Sequence, residues 1–383
     1  MDNKLFYKGF YGLERETMRV DESYRLAQTP HPFSEESITR DFCENQTELI
    51  TPVCHSIEEA VNELEKLDKK VRETLDKQNE KIWLYSNPPH IDSEDEIPVA
   101  NFTGRHSGKR AYREQLEQRY GKKLMLFSGV HFNFSFDDEY LKTLFGGEDF
   151  SRLRDEFYLR LYKQLCRYSW LLLILTAASP LYDRSLFEDG AEGVVLSEYA
   201  SIRNSEKGYW NSFVPILRFE SLDDFVKSIE EYVENGQLFS ASELYLPIRL
   251  KPKGNNHISN FKNGVSHIEL RMFDLDPTSP LGIDERDLEF AHLLIMYLST
   301  LPDLEYTPKL QEQAIRTHKE AARFDLDKVY ADGVPILQKA EEVIDEMSVF
   351  FGDNSLAQDI LAYEKDKLTN RLCERIEKNR TCG

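Results

Sequence analysis

The sequence predicts an α+β fold in which helices cover one face of an antiparallel sheet and a charged cavity lies against the other. Two patterns support this prediction. Four segments alternate apolar and polar residues as strands do, and longer segments repeat apolar residues at helical spacing. The polar faces of the strands carry His, Asn, Glu, Arg and Lys at single positions. A solvated face is usually richer in Lys, Thr and Ser, so we expect these faces to line a cavity.

The predicted strands lie at residues 12–18, 127–136, 244–250 and 267–272. Alternate side chains of a strand share a face, so Glu14 and Glu16 point the same way in the first strand. His131 lies on the polar face of the second strand. The polar faces of the last two strands consist of Tyr245, Arg249, Lys251, His267, Glu269 and Arg271.

Helices are predicted where a capping residue precedes apolar residues at helical spacing. Ser56 and Glu59 form a capping box, and Ser221 begins a helix that we expect to end near Gly236. Further helices are predicted at residues 150–177, at 288–298 and over most of the chain after 333. No linker, repeat or low-complexity segment marks a boundary. We therefore expect a single domain over residues 1–383, with a helical C-terminal segment from about residue 305.

Composition argues against several classes of protein. The 383 residues include 48 basic and 68 acidic side chains, which gives a net charge of −20 at pH 7. An acidic surface repels phosphate backbones and anionic lipids, so we expect neither nucleic acid nor membrane as a partner. The N-terminal residues lack the apolar core of a signal peptide, and the five cysteines have no zinc-binding spacing. We expect a monomer in the cytoplasm.

Acidic residues form the first candidate site. Magnesium prefers oxygen ligands, usually a few carboxylates completed by water and phosphate oxygens. Any one of these carboxylates alone would be more typical of an exposed position, and a lone His131 would suit a core histidine. Together on one sheet face they would repel one another, which indicates a metal. The candidates are Glu14, Glu16, Asp41, Glu44, Glu48 and Glu269.

Arginines form the second candidate site, since a guanidinium can bind carboxylate or phosphate through two hydrogen bonds. The candidates are Arg113, Arg203, Arg249 and Arg271, whereas Arg15, Arg19 and Arg40 could equally be countercharges to the acidic residues. The sequence has no P-loop, dinucleotide fingerprint or GxSxG motif. If ATP binds, carboxylate-held magnesium and arginines must hold its phosphates.

A series of motifs recurs in one order between residue 12 and about residue 300. They include GLERETMRV at 12–20, LAQTPHP at 26–32, ITRDF at 38–42, ELITP at 48–52, SGVHFNFS at 128–135, ELYLPIR at 243–249 and IELR at 268–271. Together they resemble the bacterial glutamate–cysteine ligase family (γ-glutamylcysteine synthetase), and in particular the ligase half of bifunctional glutathione-making enzymes.

The resemblance implies a glutamine-synthetase-like antiparallel sheet that forms a funnel-shaped active site. It also implies ATP- and Mg²⁺-dependent ligation of the γ-carboxylate of glutamate to the amino group of cysteine through a γ-glutamyl phosphate, the first step of glutathione biosynthesis. Glutamate, cysteine and ATP would be the small-molecule partners. The chain leaves no room for a second, ATP-grasp module, so we expect that it does not complete glutathione itself.

The resemblance also implies residue roles by motif position. The metal ligands would be Glu14, Glu16, Asp41, Glu48, His131 and Glu269. The catalytic residues would be Arg271, nearest the transferred phosphoryl group, and Arg113. The substrate-binding residues would be Phe42, Tyr112, Arg203 and Tyr209, with Arg203 as the clamp for glutamate. Arg249 and Lys251 would bind the nucleotide.

Some residues depart from the family's pattern and leave alternatives open. They are His267, Met272, Phe273, Cys43 and Asn45, and none is a predicted metal ligand. They could alter the acceptor pocket, so a γ-glutamyl ligase that uses a different amine is one alternative. An inactive homologue with a binding or regulatory role is another. The retained carboxylates and Arg271 argue against the inactive homologue.

Overall fold

An antiparallel sheet of seven strands organises the molecule. The structure, a computed structural model, describes residues 9–102, 108–146 and 148–380. In chain order the strands are β1 Gly9–Asp21, β2 Ile38–Arg40, β3 Gln46–Ile50, β4 Glu80–Trp83, β5 Gly129–Phe136, β6 Leu181–Asp183, β7 Val194–Leu196, β8 Ile248–Pro252, β9 Val265–Asp274, β10 Tyr330–Ala331 and β11 Val334–Pro335. The large sheet has the order β2-β3-β1-β5-β9-β8, and β4 also pairs with β1.

The register of the sheet brings the polar face of each strand beside that of its neighbour. Residues that pair across an antiparallel ladder point to the same face, with their Cβ atoms about 5 Å apart. The pairs on the polar face are Glu48 with Glu16, Glu14 with His131, Asn133 with Glu269, and Glu269 with Arg249. A continuous row of polar side chains therefore crosses the sheet from β3 to β8.

A strand was predicted at residues 244–250, but it begins only at Ile248, so the prediction was wrong for residues 244–247. Pro247 has no backbone N–H to donate to a ladder. The N–H of Tyr245 donates instead to the Oδ1 of Asn211 at 3.0 Å. A 3₁₀ turn, Ala241–Glu243, precedes this segment. Tyr245 therefore does not share a strand face with Arg249.

The helices are, in chain order, α1 Ile57–Leu75, α2 Gly108–Tyr120, α3 Asp138–Phe145, α4 Phe150–Thr176, α5 Leu222–Glu234, α6 Glu285–Thr300, α7 Pro308–Ala321, α8 Ile336–Phe351, α9 Ser355–Lys367 and α10 Leu372–Arg380. Ser56 and Ser221 cap α1 and α5 as predicted. The Glu59 carboxylate of the predicted capping box accepts from the N–H of His55 rather than from that of Ser56.

The helices cover the apolar face of the sheet, which confirms the predicted α+β fold. Helix α1 packs on β1, β3 and β4, α4 packs on β8 and β9, and α6 contacts both helices. The core between them includes Leu13, Phe132 and Leu270, all buried. Although α4 has 27 residues, neither it nor any other helix in the described ranges is long and apolar enough to cross a membrane.

One arginine lies on the apolar face and joins β1 to α1. Arg15 is completely buried, and it donates to Asp68 at 2.5 Å and to the carbonyl of Leu281 at 3.1 Å. Asp68 also accepts from Arg72 at 2.6 Å. A buried arginine needs such partners because an unpaired charge is costly to remove from water.

We predict that Asp68→Asn lowers the free energy of unfolding by about 3–5 kcal/mol, because it leaves the Arg15 charge buried without its partner. Urea denaturation measures this change. The control is Glu63→Gln on the same helix, which removes an exposed ion pair with Lys66 and should leave the midpoint almost unchanged. Equal midpoints for the two variants would contradict the role given to Asp68.

Candidate active site

Three residues on adjacent strands form a compact group of potential metal ligands. Glu14 of β1, His131 of β5 and Glu269 of β9 each place a ligand atom within 4.8 Å of the others. The Nδ1 of His131 lies 3.3 Å from Glu14 and 3.6 Å from Glu269. Asn133 donates to the second oxygen of Glu14 at 3.2 Å, which orients that carboxylate.

A second acidic group lies beside it, towards β3. Burial, followed by the charge of Asp41, raises the pKa of Glu16 to about 8. Burial, then Asp41, Glu14 and Glu16, raises the pKa of Glu48 well above its ordinary value. Asp41 is partly exposed, and it lies 3.7 Å from Arg113. Several carboxylates that cannot ionise together form a site where a cation would be favourable.

His131 belongs to the first group and also lies close to the second. Its Nε2 lies 3.7 Å from Glu16, on the opposite side of the ring from Glu14 and Glu269. Burial, followed by the charge of Arg271, lowers the pKa of His131 to about 4. The imidazole is therefore neutral at pH 7, the form that binds metals.

The site also holds buried polar atoms that lack a hydrogen-bond partner within the part of the chain that the structure describes. Buried polar groups are usually paired, so unpaired ones beside a cluster of candidate metal ligands are groups that a bound ligand could pair with. These atoms are His131 Nε2, Asn133 Oδ1, Arg203 Nε and Arg249 Nε. The residues present therefore suit a hard divalent cation and its anionic ligands.

Cationic side chains surround Glu269 on its other side. Glu269 is completely buried, and it lies 3.1 Å from Lys251, 3.0 Å from Arg271 and 4.0 Å from Arg249. Burial alone would raise the pKa of Glu269, but these three cations lower it well below its ordinary value. Glu269 thus joins the acidic half of the polar row to a basic half that suits phosphate.

Arg203 is held against β9 by the backbone. It donates to the carbonyls of Phe273 and Arg271 at 3.0 and 2.9 Å. Gly129 makes room for it, since a Cβ at that position would lie 2.6 Å from the guanidinium carbon. These hydrogen bonds fix the direction of Arg203 and leave its remaining N–H groups to bind a ligand.

Arg203 and Arg271 open onto the same cavity. Tyr209, a predicted acceptor residue, lines it and packs edge-to-face on Tyr245, with ring centroids 5.0 Å apart. Tyr245, which the sequence predicts on a cavity-facing strand face, also lines it, and so do Asn204 and Trp210, which were missed. In the sequence, only the position of Asn204 and Trp210 next to family motifs indicated a role at the site.

The other predicted residues occupy different positions. Phe42 is buried in a small apolar cluster against which Tyr112 packs. Arg113 lies over the ring of Phe102, 4.5 Å from its centroid, and faces Asp41. Glu44 is bound through both oxygens by Arg40. Of the other arginines, Arg15 pairs with Asp68 and Arg19 with Glu80, so neither neutralises the acidic row.

Comparison with known proteins identifies relatives over most of the chain. A family model described as glutamate-cysteine ligase matches residues 1–239 and 234–322. The bifunctional glutathione biosynthesis protein GshAB of Clostridium perfringens is 34% identical over 394 residues, which cover 95% of this chain and 50% of that protein. GshAB of Listeria welshimeri is 36% identical over 346 residues, which cover 85% and 44%. The chain thus spans about half the length of these curated relatives.

Solved structures show the same fold. A bifunctional glutathione synthetase from Pasteurella multocida matches with a TM-score of 0.84 and 28% identity, over 98% of this chain and 51% of that chain. A glutamate–cysteine ligase from Francisella tularensis, solved in complex with AMP, matches with a TM-score of 0.85 and 25% identity, over 98% and 86%.

Mg²⁺ is expected to stabilise the folded protein more strongly at pH 8 than at pH 6.5. Without a cation the folded state keeps a proton on Glu16 up to about pH 8, whereas the unfolded chain loses it near pH 4.5. Stability therefore falls as pH rises through this window. A bound cation replaces the proton, so its effect grows with pH. His131, with its lowered pKa, contributes only below about pH 6.5.

Thermal melts with MgCl₂ or EDTA across this pH range measure the effect. Glu48→Gln should reduce both the Mg²⁺-induced rise in Tm and its dependence on pH. Glu156→Gln, in an exposed pair with Arg152, is the control. A rise in Tm that does not depend on pH, or that Glu48→Gln keeps in full, would contradict this prediction.

Proposed function

The chain belongs to the glutamate–cysteine ligase family, and we propose that it uses ATP and Mg²⁺ to join the γ-carboxylate of L-glutamate to the amino group of L-cysteine. The observation that carries this proposal is the position of Glu269. This buried carboxylate adjoins potential metal ligands on one side, and on the other it contacts Lys251 and Arg271. Ligands for a cation and donors for phosphate therefore meet at one residue.

We assign the ligands of Mg²⁺ to the two acidic groups. Glu14, His131 and Glu269 would form one set, and Glu16, Asp41 and Glu48 the other. Bound Mg²⁺ would offset negative charge on the ATP phosphates and on the phosphoryl group as it is transferred. The neutral imidazole of His131 would contribute a nitrogen ligand without adding charge.

The proposed reaction has two steps. An oxygen of the glutamate γ-carboxylate attacks the γ-phosphorus of ATP, and ADP leaves, which gives γ-glutamyl phosphate. The amine of cysteine then attacks the acyl carbon, and phosphate leaves as the amide forms. Arg271, held at 3.0 Å from Glu269, would stabilise charge on the transferred phosphoryl group. Arg249 and Lys251 would hold the remaining phosphates of the nucleotide.

The substrates are assigned to the cavity and its rim. Arg203 would bind a carboxylate of glutamate, because its backbone hydrogen bonds fix its direction. Phe42, Tyr112 and Tyr209 would form the wall of the acceptor site, and Arg113 would place a positive charge there. We further propose a single catalytic domain over residues 1–383, helical from about residue 305, that acts as a cytoplasmic monomer.

ATP-dependent phosphate release tests the function with glutamate fixed and a panel of amines. The panel is cysteine, 2-aminobutyrate, serine, alanine and no amine. We expect cysteine to be preferred, or 2-aminobutyrate with cysteine close behind. Turnover with only a different amine would overturn the choice of cysteine. The absence of turnover with every amine, in a folded sample containing Mg²⁺, would overturn the ligase assignment.

Glu269→Gln and Arg271→Ala are each expected to lower kcat by more than about a hundredfold, the scale for a lost transition-state charge partner. Circular dichroism and thermal melts should show a folded protein in both cases. Arg152→Ala, which removes an exposed arginine on α4, is the control and should keep wild-type turnover. Near-normal turnover of either folded site variant would contradict its assigned role.

A further inference from the structure

Helix α2 carries acceptor residues but is weakly anchored by apolar packing. Tyr112 and Arg113 lie in its first half, and both are assigned above to the acceptor site. Arg113 and Leu116 are the buried residues of its 13. Tyr112 and Tyr120 pack, partly buried, on the cluster that contains Leu116, so the apolar contact of this helix is narrow. Its last two residues, Arg119 and Tyr120, make polar contacts with another part of the chain.

Arg119 donates to the carbonyls of Gly236 and Gln237 at 3.3 and 2.7 Å, and both Arg119 and Tyr120 contact one carboxylate, that of Glu243. It is completely buried, and its Oε1 accepts from Arg119 at 2.6 Å and from the hydroxyl of Tyr120 at 2.7 Å. Its Oε2 accepts from the N–H of Phe239 at 2.5 Å. The guanidinium of Arg119 also stacks on the ring of Phe239, 3.7 Å from the centroid. Both oxygens of Glu243 are thus occupied by donors of the protein itself.

The backbone at Glu243 supports the cavity wall. Its carbonyl accepts from Asn211 at 2.8 Å, and Asn211 in turn accepts from the N–H of Tyr245 at 3.0 Å. The carbonyls on either side of Glu243 both accept from Arg249 at 3.0 Å. The ring of Tyr120 packs on Tyr245, with centroids 5.6 Å apart. The side chain of Glu243 therefore holds α2, while its backbone holds the turn beside the cavity.

We propose that Glu243 is a positioning residue for the amine acceptor. Through Arg119 and Tyr120 its carboxylate fixes α2 against the cavity wall, so that Tyr112 and Arg113 face the acceptor. The inference rests on the proposed function. Glu243 itself touches no substrate, since it is buried and its oxygens are paired. Loss of its charge removes the ion pair with Arg119 and so loosens the end of α2, but it leaves in place the hydrogen bonds of Arg119 to Gly236 and Gln237 and the backbone contacts of Arg249.

The test measures kcat and the KM of each substrate for Glu243→Gln. We expect the KM for cysteine to rise at least about tenfold, the scale of a lost hydrogen bond to a charged group. The kcat and the KM values for ATP and glutamate should stay within about twofold. Glu114→Gln, which breaks an exposed pair with Arg110 on the same helix, is the matched control and should change none of them.

A second comparison keeps the test valid if Glu243→Gln does not fold. Tyr120→Phe removes one hydrogen bond to Glu243 and keeps the ion pair between Glu243 and Arg119. It should raise the KM for cysteine by a smaller factor, about threefold, in the same selective pattern. Where Glu243→Gln folds, adding Arg119→Met should raise that KM little further, because the two residues act through one contact.

Three results would overturn the inference. They are an unchanged KM for cysteine in the folded variants, an equal rise in the KM of all three substrates, and a fall in kcat alone. Each would show that Glu243 does not position the acceptor selectively. An absence of cysteine-dependent turnover in the wild-type protein would instead overturn the proposed function, so the two failures are distinguishable.

Discussion

Repulsion between buried and half-buried carboxylates on one face of the sheet is the constraint on which the site depends. Glu16 pairs directly with Glu48, and Glu14 lies two residues before Glu16 on the same face of β1. Like charges at such positions destabilise a sheet unless protons or cations offset them. The structure offsets part of this charge itself, through Lys251 and Arg271 on Glu269. Near β3, burial and the neighbouring carboxylates raise the pKa values of Glu16 and Glu48, so a divalent cation would be favourable there.

The fold meets this constraint by separating the two faces of one sheet. Behind the polar row, the apolar faces of β1, β5 and β9 are covered by α1, α4 and α6. The ion pair of Arg15 with Asp68 joins β1 to α1, so the strand that carries Glu14 and Glu16 is fixed from behind. A charged site can be held at defined distances because the scaffold beneath it is closely packed and antiparallel throughout.

Local sequence patterns predicted β1, β5 and β9 well, because each strand has one apolar and one polar face. They could not give the register between strands, which places Glu48 beside Glu16 and is set by pairing along the whole sheet. The strand predicted through Tyr245 was wrong because Pro247 cannot donate to a ladder. Asn204 and Trp210 were missed since loops have no periodicity. The family motifs supplied residue roles that periodicity alone could not.

The central claim is that ATP activates the γ-carboxylate of glutamate as an acyl phosphate, and an oxygen-transfer measurement tests it most directly. Glutamate labelled with ¹⁸O in its γ-carboxylate is turned over with ATP, Mg²⁺ and cysteine, and the released phosphate is analysed by mass spectrometry. One labelled oxygen should pass to phosphate for each amide formed, because the carboxylate oxygen that attacks phosphorus leaves with it. Amide formation with unlabelled phosphate would contradict the account.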